Sequence, residues 1–60
     1  MNKTEFERYL NDNYIMYKEI NALMNVAKKN KKVNIVNPGM WLRRKHSKIF
    51  EKYYNEVRDS

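Results

Sequence analysis

The sequence predicts an all-α fold, an antiparallel helical hairpin with an extended basic connector between its two helices. Apolar residues recur at helical spacing over residues 4–28 and again over 38–57. The sequence Asn37-Pro38-Gly39 separates these segments and is typical of a helix start. Because the chain has 60 residues, we expect a single small helical domain that spans 1–60.

The first predicted helix begins at Thr4, which lies three residues before Glu7 in the spacing of a capping box. The polar residues 11–13 do not shift the phase of the apolar face, so we predict one continuous helix, with a break at 11–13 as the alternative. Asn13 would lie on that face, either hydrogen-bonded to a neighbour or fixing the register of a helix contact. The face spans an arc of about 140° and consists of Phe6, Tyr9, Leu10, Met16, Tyr17, Ile20, Leu23, Met24 and Ala27.

The connector follows a helix end near Lys28–Asn30, where cations are favoured by the negative end of the helix dipole. Residues 33–36 have the composition of a strand, but a single strand of this length has no partner within the chain. We therefore predict an extended segment whose valine and isoleucine side chains cover the open end of the core. Pairing with a strand edge of another protein is the alternative.

The second predicted helix begins after Asn37, which can cap it, with Pro38 at the first helical position. Its apolar face consists of Leu42, His46, Ile49, Phe50, Tyr53 and Val57. Two helices enclose only a thin core, and small chains often gain stability from a partner subunit. We therefore expect self-association, most simply as a homodimer.

The positive charge is concentrated in one block of the sequence. Residues 28–48 contain eight Lys and Arg residues and no Asp or Glu, whereas the net charge of the whole chain is +6. A block of one sign favours a partner of the opposite sign. On the second helix, Trp41 lies on the same stripe as Lys45, Lys48 and Lys52. Trp41 would therefore pack under the connector against Val33 or Ile35, stack on a nucleobase, or anchor a protein interface.

The first functional hypothesis is a non-enzymatic, small basic regulator that binds DNA or RNA with little sequence specificity. Arginine and lysine would hold phosphates, with Trp41 as a stacking group. The predicted binding residues are Lys28, Lys29, Lys31, Lys32, Trp41, Arg43, Arg44, Lys45, Lys48 and Lys52.

Three other interpretations remain open. The basic face could dock on an acidic surface of a larger protein as a modulator or inhibitor, with Trp41, Tyr14 and Tyr54 as anchors. It could instead lie on an anionic membrane as an amphipathic helix, or simply be solvated. The size and composition resemble those of small regulators made by phages and other mobile elements, although no sequence motif carries this resemblance.

The residue types that catalysis requires are scarce. Cysteine is absent, His46 is the only imidazole, and Gly39 is the only glycine, so thiolate metal sites and glycine-rich phosphate loops cannot form. We expect no enzymatic activity, no cofactor and no metal. No apolar run approaches the length of about 20 residues that a membrane-spanning helix needs. We therefore expect a cytoplasmic protein.

Overall fold

The structure, a computed structural model, describes residues 1–31 and 34–59. All regular secondary structure in these ranges is helical, which confirms the all-α prediction. The helices are α1 (Lys3–Asn13), α2 (Lys18–Lys31), α3 (Pro38–Lys45) and α4 (Ser47–Val57), with a 3-10 turn at Tyr14–Met16 between α1 and α2. Residues 34–37 are not helical. The predicted connector positions Lys32 and Val33 lie outside the described residues, so the basic connector stays a prediction.

Helix α1 begins at Lys3, one residue earlier than predicted, and Asn2 is its N-cap. The side chain of Asn2 accepts a hydrogen bond from the Glu5 amide at 2.8 Å, and the Glu5 carboxylate accepts one from the Asn2 amide at 2.9 Å. This is the capping box, so the predicted box of Thr4 and Glu7 is wrong. Both pairs have the same spacing, and Asn is at least as good an N-cap as Thr. Glu7 is used elsewhere, in an ion pair with Arg43.

The first predicted helix is interrupted, so the prediction of one continuous helix is wrong. The break given as the alternative exists, but it lies directly after residues 11–13, which are still helical, at the turn of Tyr14–Met16. The Asn13 amide group donates to the Tyr9 carbonyl at 2.8 Å, which confirms the interpretation of a local hydrogen bond. Tyr17 then adopts an extended backbone, with φ −104° and ψ 104°. The turn brings the Tyr17 ring edge-on to Phe6, with centroids 6.4 Å apart. It also leaves Met16 72% exposed, which corrects the placement of Met16 on the core face.

The second predicted helix is also interrupted, at His46. This residue has φ −134° and ψ 60°, and it separates α3 from α4. Its amide still donates to the Leu42 carbonyl at 2.8 Å, and its carbonyl accepts from the Phe50 amide at 3.0 Å. A continuous helix would place Arg44 and Lys48 one turn apart as a like-charge pair. The described residues therefore form four α-helices, where the sequence predicted two.

The core lies where α1, α2, α3 and α4 converge. The rings of Phe6 and Phe50 lie 5.3 Å apart at its centre. Every buried side chain of this core belongs to one of the predicted apolar faces. Partly buried tyrosines from the same faces pack around these side chains. The fully or almost fully buried hydrophobic side chains are Phe6, Leu10, Ile20, Met24, Leu42 and Phe50.

Helix α1 runs antiparallel to α3 and α4, as four contacts along its length show. At its C-terminal end, the Asn11 side chain accepts from the Gly39 amide at 3.0 Å. In the middle, Glu7 pairs with Arg43. Near its start, the ammonium group of Lys3 lies 2.5 Å from the Glu51 carboxylate. The chain amino group donates to the carbonyl of Arg58 at 3.0 Å.

Gly39 sets the distance between α1 and α3. A Cβ atom at this position would overlap the carbonyl oxygen of Glu7 and lie 2.6 Å from its Cα. These are backbone atoms, so no side-chain rotation relieves the overlap. The absence of a side chain at Gly39 therefore allows the two helix backbones to approach this closely.

We predict that Gly39→Ala destabilises the fold, because α3 must move away from α1. Overpacking of this kind costs about 1–3 kcal/mol, and more where backbone atoms are involved. Urea denaturation followed by far-UV circular dichroism measures the loss. Asn55→Ala, a change at an exposed position of α4, should alter the free energy of unfolding by less than about 0.5 kcal/mol. Equal stability of the Gly39→Ala variant and the natural chain would contradict the close approach of α1 and α3.

Candidate basic surface

The predicted basic surface is built mainly by the junction of α3 and α4. Arg44 and Lys45 end α3, and Lys48 lies in the first turn of α4. All three side chains are exposed, and none has a carboxylate partner within the described part of the chain. The structure thus places these three predicted residues together on one surface.

A concave site lies beside these cations. We call it the connector groove; its volume is about 550 Å³, and it is lined by Asn34, Ile35, Val36, Asn37, Met40, Trp41, Arg44 and Lys45. A second depression shares Lys45 with it and also contains His46, Ser47, Lys48 and Ile49. Among the described residues, no acidic side chain lines either depression. The basic surface is therefore concave rather than a flat helix face.

Trp41 is one of the residues that line the connector groove. It is half-buried and packs against the core, and its ring is edge-on to His46 with centroids 5.1 Å apart. Trp41 and Ile35 both line the connector groove. Packing of Trp41 beneath the connector stays a prediction. Val33, the other predicted contact of Trp41, lies outside the described residues. Trp41 thus combines a structural position with access to the groove.

Arg43 points toward the protein rather than toward a ligand. Its guanidinium pairs with Glu7 of α1 and lies 5.7 Å from the centre of the Phe50 ring. The Glu7 side chain is only 17% exposed, which gives this pair more shielding from water than a fully exposed pair has. Phosphate binding by Arg43 stays a prediction, but any phosphate must compete with an internal carboxylate for the guanidinium.

Lys52 and Lys28 also have partners inside the molecule. Lys52 lies 3.3 Å from the Glu19 carboxylate, which in addition accepts a hydrogen bond from the Tyr53 hydroxyl at 2.7 Å. The hydrogen bond from Tyr53, followed by that from Lys52, lowers the pKa of Glu19 below its ordinary value. The ammonium group of Lys28 lies 5.8 Å from the centre of the Tyr14 ring. Lys52 of α4 therefore contacts α2, and Lys28 contacts the turn that precedes α2.

The remaining predicted lysines are on or near the end of α2. Lys29 is exposed and has no ion-pair partner among the residues that the structure describes. Lys31 is the last residue of α2, and the structure does not describe its side chain. Lys32 lies outside the described residues. Among the predicted binding residues, those with no internal partner in the described part are thus Arg44, Lys45 and Lys48 on one surface and Lys29 on α2. Arg8, Lys18 and Arg58, which were not predicted to bind, also lack an ion-pair partner there.

Sequence reasoning missed the two asparagines of the groove. Asn37 occupies the N-cap position of α3, but its side chain makes no capping hydrogen bond, so its predicted capping role is wrong. Asn11 binds the Gly39 amide instead. Asn34 and Asn37 both line the groove. The sequence shows that these two asparagines flank Ile35 and Val36, but it does not show that both line one groove.

Comparisons with protein families, curated proteins and solved structures found no match for this chain. Within the described ranges, no group of three or more His, Asp and Glu side chains could hold a metal ion. None of the helices in these ranges is both long and apolar enough to cross a membrane. The candidate site therefore rests on its own geometry.

We predict that Arg43 and Arg44 differ in their effect on stability. Arg43→Ala removes the pair with Glu7 and should cost about 0.5–1 kcal/mol, whereas Arg44→Ala should be close to neutral. A double-mutant cycle of Arg43→Ala with Glu7→Ala isolates the pair and should give a coupling energy of similar size. The matched cycle of Arg44→Ala with Glu7→Ala should give no coupling. Coupling of Glu7 to Arg44 rather than to Arg43 would contradict this geometry.

The lowered pKa of Glu19 predicts an acid-sensitive contact between α2 and α4. A carboxyl group whose pKa is lower in the folded state stabilises the fold above its ordinary pKa of 4.5 and loses this contribution as the pH falls through the folded-state pKa. NMR titration of the Glu19 carboxyl carbon should show a midpoint below 4.5. Glu19→Gln should flatten the loss of stability in acid, whereas Glu56→Gln, which removes an exposed carboxylate without a hydrogen bond, should preserve it. A Glu19 midpoint at or above its ordinary value would exclude this contact.

Proposed function

We propose that this protein binds nucleic acid, without enzymatic activity, through the surface formed by Arg44, Lys45 and Lys48. The observation that supports this proposal is the division of the cations into two groups. Arg43 and Lys52 are paired with internal carboxylates, whereas these three are exposed together beside a groove without acids. A surface of unpaired cations attracts a polyanion because no internal charge offsets them.

The chemistry of these side chains suits phosphate. Arg44 presents a planar guanidinium that can form two parallel hydrogen bonds to a phosphate, and Lys45 and Lys48 act as point charges. Contacts of this kind position a nucleic acid without reading its sequence. About three phosphate contacts imply modest affinity, low specificity and a logarithmic salt slope of about −2 to −3. This set is smaller than the sequence suggested, because several predicted cations have internal partners.

A second candidate, docking on an acidic protein surface, is favoured by the apolar residues next to the cations. Val36 is 74% exposed and Met40 is 45% exposed, and both line the connector groove. Exposed apolar groups flanked by arginine are typical of protein interfaces. The proposed anchors Tyr14 and Tyr54 are less suited to this role, because both pack against the core.

The proposed homodimer stays a prediction. Apolar side chains that could support self-association lie away from the connector groove residues, on the turn after α1 and on α2. Ile15, Met16 and Val26 are 65%, 72% and 55% exposed.

Charge reversal tests the proposed nucleic-acid surface. Arg44→Glu combined with Lys48→Glu should abolish measurable binding to DNA and RNA in low salt, while the circular dichroism spectrum stays unchanged. Lys18→Glu combined with Arg58→Glu makes the same change in net charge at exposed positions, at the start of α2 and directly after α4. This control should weaken binding only slightly, since it removes no proposed phosphate contact. Fluorescence anisotropy of labelled single-stranded and duplex oligonucleotides, repeated over a range of salt, measures both effects.

Two results would count against the proposal. Absence of binding to every oligonucleotide in low salt would exclude it. Equal loss of binding in both double variants would show that only net charge matters and that the surface formed by Arg44, Lys45 and Lys48 has no special role.

A further inference from the structure

We propose that the connector groove holds an unstacked base of a single-stranded nucleic acid, with Trp41 as its stacking partner. This inference rests on the proposed nucleic-acid function and assigns a preferred substrate, single strand over duplex. It comes from three features of the groove that are independent of net charge: its shape, its side-chain chemistry and the position of its cations.

The shape of the groove favours a projecting group. The groove is open to solvent, and its volume of about 550 Å³ lies within the range of small-molecule sites, about 300–1,000 Å³. The bases of a duplex are stacked and paired, so they cannot enter a concave site without being extruded. The bases of a single strand are free to turn outward and stack on a protein side chain. A concave site therefore discriminates between the two forms.

The side chains that line the groove match the two surfaces of a base. Trp41, with Ile35 and Met40 nearby, provides an aromatic and apolar surface for the face of the ring. The amides of Asn34 and Asn37 can donate and accept hydrogen bonds at its edge. Because Asn37 makes no capping hydrogen bond with its side chain, its amide is available for a ligand.

The cations lie where a backbone phosphate would follow the base. Arg44 is three residues after Trp41 on α3, so both lie on the same side of the helix. Arg44 and Lys45 belong to the lining of the groove itself, and Lys48 continues the cationic surface into the adjoining depression. One nucleotide in the groove would thus direct its neighbouring phosphates toward all three proposed contacts.

The fluorescence of Trp41 tests this inference directly, because it is the only tryptophan in the chain. Single-stranded oligomers of thymidine and of uridine, 15 nucleotides long, should quench the emission at low salt. A mixed-sequence duplex of about the same length should bind more weakly and leave the emission nearly unchanged. Titration with a decamer of glutamate, under the same conditions, tests docking of an acidic peptide.

Two variants extend the test beyond quenching. Trp41→Leu should weaken single-strand binding, measured by anisotropy of a labelled oligomer, by about five- to 150-fold, the range that loss of one stacked base implies. Since Trp41 also packs against the core, Asn37→Asp provides a second variant that should fold normally, because Asp is a good N-cap residue. It introduces a carboxylate into the groove and should weaken single-strand binding severalfold. Asn55→Asp adds the same charge on the exposed side of α4 and should have little effect.

The outcomes separate this inference from the proposed function. Duplex and single strand bound with equal affinity and without quenching would overturn the base-binding groove and leave the phosphate-binding surface in place. No binding of any nucleic acid by anisotropy would overturn both. Stronger quenching by the glutamate decamer than by either single strand would overturn the inference in favour of an acidic protein partner. Equal effects of Asn37→Asp and Asn55→Asp would also overturn it.

Discussion

The close contact of α1 and α3 at Gly39 is the constraint on which the rest of this structure depends. The backbone of Glu7 occupies the space that a side chain at Gly39 would need. This approach lets the Asn11 side chain reach the Gly39 amide and lets Glu7 meet Arg43. With α3 held at this distance, Leu42 is buried in the same core as Phe6 and Leu10. One point of backbone contact thus positions a hydrogen bond, an ion pair and part of the core.

The same contact divides the basic residues between structure and surface. Once Gly39 lies against α1, the helical rotation of α3 directs Arg43 toward Glu7 and leaves Arg44 and Lys45 exposed. Residues 34–37 and the residues Met40, Trp41, Arg44 and Lys45 of α3 then line the connector groove together. The location of the proposed binding surface therefore follows from how the core packs, and substitutions at Gly39 should disturb both.

The fold class and most of the core could be predicted from periodicity, because burial of an apolar face leaves a repeating pattern. Phe6, Leu10, Ile20, Leu42 and Phe50 all belong to predicted faces and are buried. The two helix breaks were less predictable. The polar residues 11–13 indicated a break only as an alternative, and the turn follows directly after them, where the Tyr17 ring meets Phe6. The break at His46 could not be predicted, because it leaves the backbone hydrogen bonds to Leu42 and from Phe50 intact.

By itself, the sequence determined the helical class, the membership of the core and a concentrated block of positive charge. These depend on composition and spacing, which are local properties. Which cations have an internal carboxylate partner depends on the tertiary structure. Glu7 lies 36 residues from its partner Arg43 in the chain, and Glu19 lies 33 residues from Lys52. The tertiary structure likewise assigned Asn11 rather than Asn37 to the start of α3. Interactions between distant residues are set by packing, and a local pattern carries no record of them.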